Sequence, residues 1–345
     1  MSHFTVCVIG EDPEAQLAPF QENNMGDCPE EYLEFHSTEE EYLEDYNNKT
    51  VTKVVMPDGR LLNEWDEEFR VKGSIGLGSN SHKVPDHLEK KEVPFKELYA
   101  TFEDYMKDWC GSEERDEKTG KYGYWENPNA KWDWYSLGGR WCGFFKLKSP
   151  NMKKKVGPSG VFGNEPKHDS DQAYKRQIDF EAMMDASGNE AADRYDRVAK
   201  LFGGTIPKLD LMWQRDMLDG PKYKKVDIEK KRKIYHDQPV MKKLAEMREK
   251  IWDEKDNPDR ELVIGLDWNF EDYQIPRDEF IQRARNSAFT TFAVLKDGKW
   301  YERGSMGWWG CVSNKKDKGE WCNQVATLLQ DLPDDTLLSV YDCHI

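Results

Sequence analysis

The stretch Lys131-Trp132-Asp133-Trp134-Tyr135-Ser136-Leu137-Gly138-Gly139-Arg140-Trp141-Cys142-Gly143-Phe144-Phe145 constrains the fold more than any other part of the chain. Aromatic rings are denser here than elsewhere, and they flank a Gly-Gly pair followed by an arginine. Gly-Gly accepts positive φ at two successive positions, which is what a two-residue β-hairpin turn demands. The pattern therefore predicts a hairpin with Leu137 opposite Arg140, Ser136 opposite Trp141, Trp134 opposite Gly143 and Trp132 opposite Phe145. Strand alternation then puts Trp132, Trp134, Trp141 and Phe145 on one face, expected to be core. Asp133, Tyr135, Arg140 and Cys142 fall on the other. A carboxylate, a phenol and a guanidinium together are the raw material of a site.

The length of 345 residues leaves room for two ordinary domains, or for one domain with a large insertion. Net charge is −16, which disfavours a general binder of nucleic-acid backbone, since that function needs a basic footprint. No apolar run reaches the ~20 residues of a membrane helix. The first residues, Met1-Ser2-His3-Phe4-Thr5-Val6, lack the basic and apolar regions of a signal peptide, so a cytoplasmic protein is expected. The seven cysteines are scattered, with no Cys-x-x-Cys pair, and read as reduced and mostly structural.

Phe4–Gly10 reads as a short buried strand, and Asp12-Pro13 as the opening of a short helix. Ser37-x-x-Glu40 reads as a capping box before a helix carrying Tyr42, Leu43 and Tyr46. Val51–Leu62 reads as a hairpin turning at Pro57-Asp58-Gly59, and 93–109 as one helix. The glycines of 73–79 have neither phosphate-loop nor dinucleotide spacing and read as a loop. Residues 171–256 are expected to be mostly helical. Leu262–Leu266 is expected to be a strand, and Asp297-Gly298 the turn of another hairpin. Glu320–Leu332 is an amphipathic helix, followed by a strand over 336–345 on which Leu338, Val340, Asp342 and His344 share a face. The expected organisation is an α+β core split between 1–148, with an acidic insertion, and 259–345, with a helical insertion or subdomain at 149–258. Its fold class is α+β, ferredoxin-like: a largely antiparallel sheet with helices on one face.

Asn127–Tyr135 with Gly138-Gly139-Arg140-Trp141, Asp297-Gly298-Lys299-Trp300-Tyr301, Gly307-Trp308-Trp309-Gly310 and Asp342-Cys343-His344 together resemble a family of uncharacterised proteins of tailed bacteriophages and prophages. The Trp-Tyr and Gly-Arg-Trp pieces are more loosely similar to a phage and plasmid family with a ferredoxin-like domain. The resemblance implies an accessory product, of host-takeover or anti-defence type, working in the bacterial cytoplasm. It carries no reaction and no catalytic residues.

Two functional expectations follow from the residues. One is binding of a host or defence protein, or of a nucleotide-type ligand, in a pocket of Arg140, Asp133, Tyr135, Trp308 and Trp309; aromatic faces stack on bases and a guanidinium grips phosphate or carboxylate. The other is a nucleotide or phosphate-ester hydrolase or transferase. There His344 is general acid/base, Asp342 its orienter and Arg140 an anion clamp, with Asp133, Tyr135 and Cys142 as further members. A metal held by Cys311, Cys322, Cys343 and His344 has irregular spacing against it, and no metal or cofactor is expected. Neither is contact with a membrane.

Overall fold

The structure is a computed structural model describing residues 2–71, 81–112, 114–160, 163, 165–307 and 310–345. Two compact units emerge: Met1–Pro19 with Lys131–Ile345, and Phe20–Ala130. The first is built on six strands, β1 (His3–Ile9), β2 (Trp134–Leu137), β3 (Gln172–Tyr174), β4 (Ala293–Lys296), β5 (Lys299–Glu302) and β6 (Leu337–His344). They lie in the order β5-β4-β1-β6-β2, with β3 pairing the first residues of β6. The two terminal strands thus form the centre of the sheet.

Pairing of β1 with β6 is antiparallel and sets His3 opposite His344, Thr5 opposite Asp342, Cys7 opposite Val340 and Ile9 opposite Leu338. Opposed residues project to the same side, so these eight share one face. Its apolar end packs under the helices. Cys7, Ile9, Leu338 and Val340 join Met183 of helix α1 (Phe180–Leu201) and Trp321, Val325 and Leu329 of a later helix, Lys318–Gln330, in one core. The other end carries Thr5, Asp342 and the two histidines. The reverse face is also buried: Val6 and Val8 are fully buried, each stabilising the fold by roughly 1.5–3 kcal/mol. Here Trp132 meets Tyr135 at 4.8 Å, and Tyr135 meets Tyr341 at 5.4 Å.

Four further helices of this unit, α2 (Ile228–His236), α3 (Pro239–Ile251), α4 (Arg260–Asn269) and α5 (Arg277–Asn286), share a second core around Leu244, Leu266 and Phe270. Lys318–Gln330 is α6, capped by the Asp317 carboxylate, which accepts from the N–H groups of Gly319 and Glu320. The second unit holds a three-stranded sheet of Leu61–Leu62, Thr50–Val55 and Glu89–Pro94, a two-stranded sheet of Glu34–Ser37 and Gly123–Glu126, and short helices round Phe95, Tyr105, Met106 and Tyr122. Among the described residues, no helix is long and apolar enough to cross a membrane.

The expected terminal strands, the 51–62 hairpin, and the Asp297-Gly298 turn (φ +52° and +70°) are present. Other expectations are corrected. Leu262–Leu266 is helical, because Leu262 and Leu266 sit four apart and both pack against the helical core. Residues 93–109 are a strand end and two short helices, Phe95–Leu98 and Phe102–Asp108, the latter opened by a Thr101/Asp104 capping box. The helix after Ser37 starts from Thr38 with no side-chain cap. The α+β class holds. The strand order does not reproduce a ferredoxin-like sheet: β1 and β4 are parallel direct neighbours, where a split βαβ unit places another strand between its parallel pair.

Candidate functional site

The predicted Trp hairpin does not form. Gly138 and Gly139 do take positive φ (+68° and +53°), but β2 pairs with β6 instead of with the residues after the turn. Beyond the turn the chain coils tightly, Trp141 N–H donating to Gly138 O and Cys142 N–H to Gly139 O. The reason lies in two buried carboxylates. A Cβ on Gly138 would fall 2.2 Å from Oδ2 of Asp171, and one on Gly139 2.4 Å from Cβ of Asp342. Only glycine lets the backbone approach both so closely.

Asp171 is fully buried. It accepts from the N–H groups of Phe144 and Gly157, pinning the coil, and burial pushes its carboxyl above the ordinary carboxylate range. Asp342 is likewise fully buried, and its Oδ2 accepts from the main-chain N–H of Arg140 at 3.0 Å. Its Oδ1 lies 2.8 Å from Nδ1 of His3. Across the strand pair, Nδ1 of His344 lies 2.6 Å from Oδ1 of Asp133. Asp133 is itself held by its N–H, which donates to His344 O.

The two imidazoles face each other edge-on, with centroids 4.8 Å apart. Their closeness follows from register. Ser2 and Ile345 exchange both main-chain hydrogen bonds, so the next pair, His3 and His344, is a narrow one in which side chains crowd together. A carboxylate is foremost an acceptor, so each Nδ1 faces it as the donor and each ring turns its Nε2 away from the carboxylate. No described residue bonds to either Nε2. Trp134, 47% exposed, stands edge-on to His3 with centroids 6.0 Å apart.

Of the residues singled out in the sequence, Asp133, Asp342 and His344 converge, and Arg140 joins them through its backbone. Asp342 does not orient His344, as expected; it holds His3, while Asp133 holds His344. Tyr135 lies opposite Cys343 in the register, on the reverse face among Trp132 and Tyr341, and burial raises its phenol. Cys142 is buried, its thiol also pushed up by burial. Trp134 and Trp141 are exposed rather than core; Trp132 and Phe145 are buried. Trp308 and Trp309, like the 73–79 segment, lie outside the described residues. Among the described residues, no three His, Cys, Asp or Glu side chains are arranged to hold a metal ion. The histidine that sequence reasoning missed is His3. The signal for it was present: both terminal apolar strands end in a histidine at matching depth.

Comparison with protein-family models, with curated proteins and with solved structures gives no match. The chemistry of this cluster is therefore read from its own geometry: an α+β scaffold presenting two carboxylate-held imidazoles.

Proposed function

We propose that this chain is an acid–base enzyme acting on a nucleotide-type phosphate ester, with His3 and His344 as the proton-transfer pair. One observation carries the reading: two imidazoles in ring contact, each with Nδ1 committed to its own carboxylate. That pairing fixes both tautomers and makes each Nε2 a proton carrier. One ring takes the proton of the attacking hydroxyl or water as the new P–O bond forms. The other, protonated, gives its proton to the leaving oxygen as the old P–O bond breaks, so one turnover leaves the two rings with exchanged roles. Asp342 and Asp133 are positioning residues that stabilise whichever imidazolium exists. The exposed Trp134 ring offers a stacking surface for a base beside the reacting atoms.

The test uses His3→Asn and His344→Asn. An asparagine amide can place its N–H where Nδ1 was, keeping the bond to the carboxylate while deleting Nε2. With 2′,3′-cyclic nucleotides and bis(p-nitrophenyl) phosphate as substrates, each variant should retain its fold and lose about 10²–10⁴ in kcat/KM. Wild-type turnover should follow a bell-shaped pH profile that loses one limb in each variant. No wild-type turnover of either substrate class would reject the enzyme reading. In that case the exposure of Trp134 and Trp141 favours the second reading, a phage accessory protein of host-takeover or anti-defence type that binds a host protein or nucleotide without converting it.

A further inference from the structure

A cavity of about 640 Å³ opens among the helices of the second core, a volume usual for a small-molecule site. The last turns of α2 and α4 border it, together with Arg248 of α3, the short turn Phe270–Tyr273 and Trp213. Trp213 begins a π-helical turn, Trp213–Leu218, in which Asp219 N–H donates to Gln214 O and Met217 N–H to Met212 O, each five residues back. Such turns are rare and are found mostly at functional sites.

Most of the polar lining is engaged. Arg248 pairs with Asp267, and Arg232 with Glu229 at 2.6 Å. Glu271 accepts from the main-chain N–H of Trp213 and from the Tyr235 hydroxyl. Two accessible groups are not engaged. Trp268 is 90% exposed and, among the described residues, meets no other ring and no cation. Asp272, also exposed, has no hydrogen-bond or ion-pair partner among them. Arg194 and Arg283 line a neighbouring cavity with Asp272 without pairing to it; Arg194 lies over the Phe280 ring and Arg283 pairs with Glu279.

The local field is negative. α2 ends at His236 and α4 at Asn269, both in the lining, so the carbonyl ends of two helix dipoles border the cavity. Its carboxylates, Asp267, Glu271 and Asp272, outnumber its guanidiniums, Arg232 and Arg248. A bare indole face and an unpaired carboxylate in such a field complement an organic cation. A primary ammonium would bring three N–H donors to a place where Asp267 and Glu271 are already taken, whereas a quaternary one brings none.

We propose that this cavity binds a quaternary ammonium ion, its methyl groups against the Trp268 ring and Asp272 supplying the counter-charge. The cavity shares no residue with the histidine pair, and its occupancy is measured without turnover.

Isothermal titration tests it with choline and with 3,3-dimethylbutan-1-ol, which has the same shape with carbon in place of the charged nitrogen. The proteins are wild type, Trp268→Ala, Trp268→Phe, Asp272→Asn and Trp65→Ala, the last altering an exposed tryptophan of the other unit. Wild type and Trp65→Ala should bind choline saturably and equally, and the neutral alcohol at least about tenfold more weakly. Choline affinity should fall about 3–30-fold in Trp268→Ala and less in Trp268→Phe, which keeps a weaker ring face. Asp272→Asn should bind more weakly and with a smaller dependence on salt. The ratio of choline to alcohol is read on wild type alone, so it decides even if a variant misfolds. Absence of saturable choline binding to wild type, equal affinity for the alcohol, or wild-type affinity in a folded Trp268→Ala would overturn the assignment.

Discussion

Replacing Asp342 by asparagine isolates what the buried carboxylate does for His3. In the native site one oxygen accepts from Arg140 N–H and the other from His3 Nδ1, at 3.0 and 2.8 Å. Asparagine has a single carbonyl oxygen and must choose. If its NH₂ faced Arg140, two donors would oppose each other in a dry site, and a main-chain N–H cannot change its nature. If its oxygen faces Arg140, the NH₂ meets Nδ1, and the ring adapts by carrying its proton on Nε2 instead. The second arrangement wins. Two bonds to a charged acceptor, each worth about 1.5–3 kcal/mol, become neutral bonds of about 0.5–1.5, a loss of roughly 2–3 kcal/mol overall. On the proposed mechanism the loss of turnover is larger, because Nε2 becomes a donor and His3 can no longer take a proton from the nucleophile. A wrong tautomer in an intact site costs about 10⁴ in rate, near 5 kcal/mol of barrier. Urea unfolding gives the first number, phosphodiester turnover the second, and ¹⁵N NMR of labelled histidine reports the proton's position directly. A variant that moves the proton to Nε2 yet keeps activity within a factor of about ten would refute the role given to His3.

Gly139→Ala adds a methyl at φ +53° and drives it into Asp342. The left-handed backbone costs about 1–2 kcal/mol and the overlap about 1–3, so denaturant unfolding should show a loss of about 2–5 kcal/mol, with turnover falling alongside. A loss below about 1 kcal/mol would mean that the close approach is not required. Asp171 gives a pH signature. Its folded-state carboxyl is raised by burial, so its stabilising contribution is full below the unfolded carboxyl's range, about pH 4, and is lost as pH rises through the raised folded value. Asp171→Asn, which can satisfy only one of the two N–H donors, should be less stable than wild type, with the gap narrowing as pH rises from about 4. Thermal melts across that range check it, and a gap that widens with pH would contradict the burial argument.

Local chemistry was legible where one residue type does one thing. Asp297-Gly298 fixes its turn, Pro13 opens the short helix Pro13–Leu17 although Asp12 makes no side-chain cap, and the apolar run of 337–344 marks a strand. What could not be read was which strand pairs with which. Gly138-Gly139 was correctly seen to need positive φ, but its purpose is close approach to Asp171 and Asp342 rather than a hairpin. Both aspartates are remote in sequence, and one belongs to the terminal strand. Leu262–Leu266 has a strand-like composition and forms a helix because the partner it packs against is helical. Much of the site was visible as Asp133, Arg140, Asp342 and His344. Its completion by His3 depends on a register between the two ends of the chain, set by the β1–β6 ladder and absent from any local window.

The ladder joining β1 to β6 imposes an order on biogenesis. On the ribosome β1 emerges well before both of its neighbours, β4 and β6, which are encoded more than 280 residues later. Until then Val6 and Val8 have no sheet to enter, which leaves their apolar surface uncovered and folding slow by its long-range topology. The same arrangement ties two things to one segment: a product cut short before residue 337 lacks the central strand and His344 together, and with them the paired imidazoles.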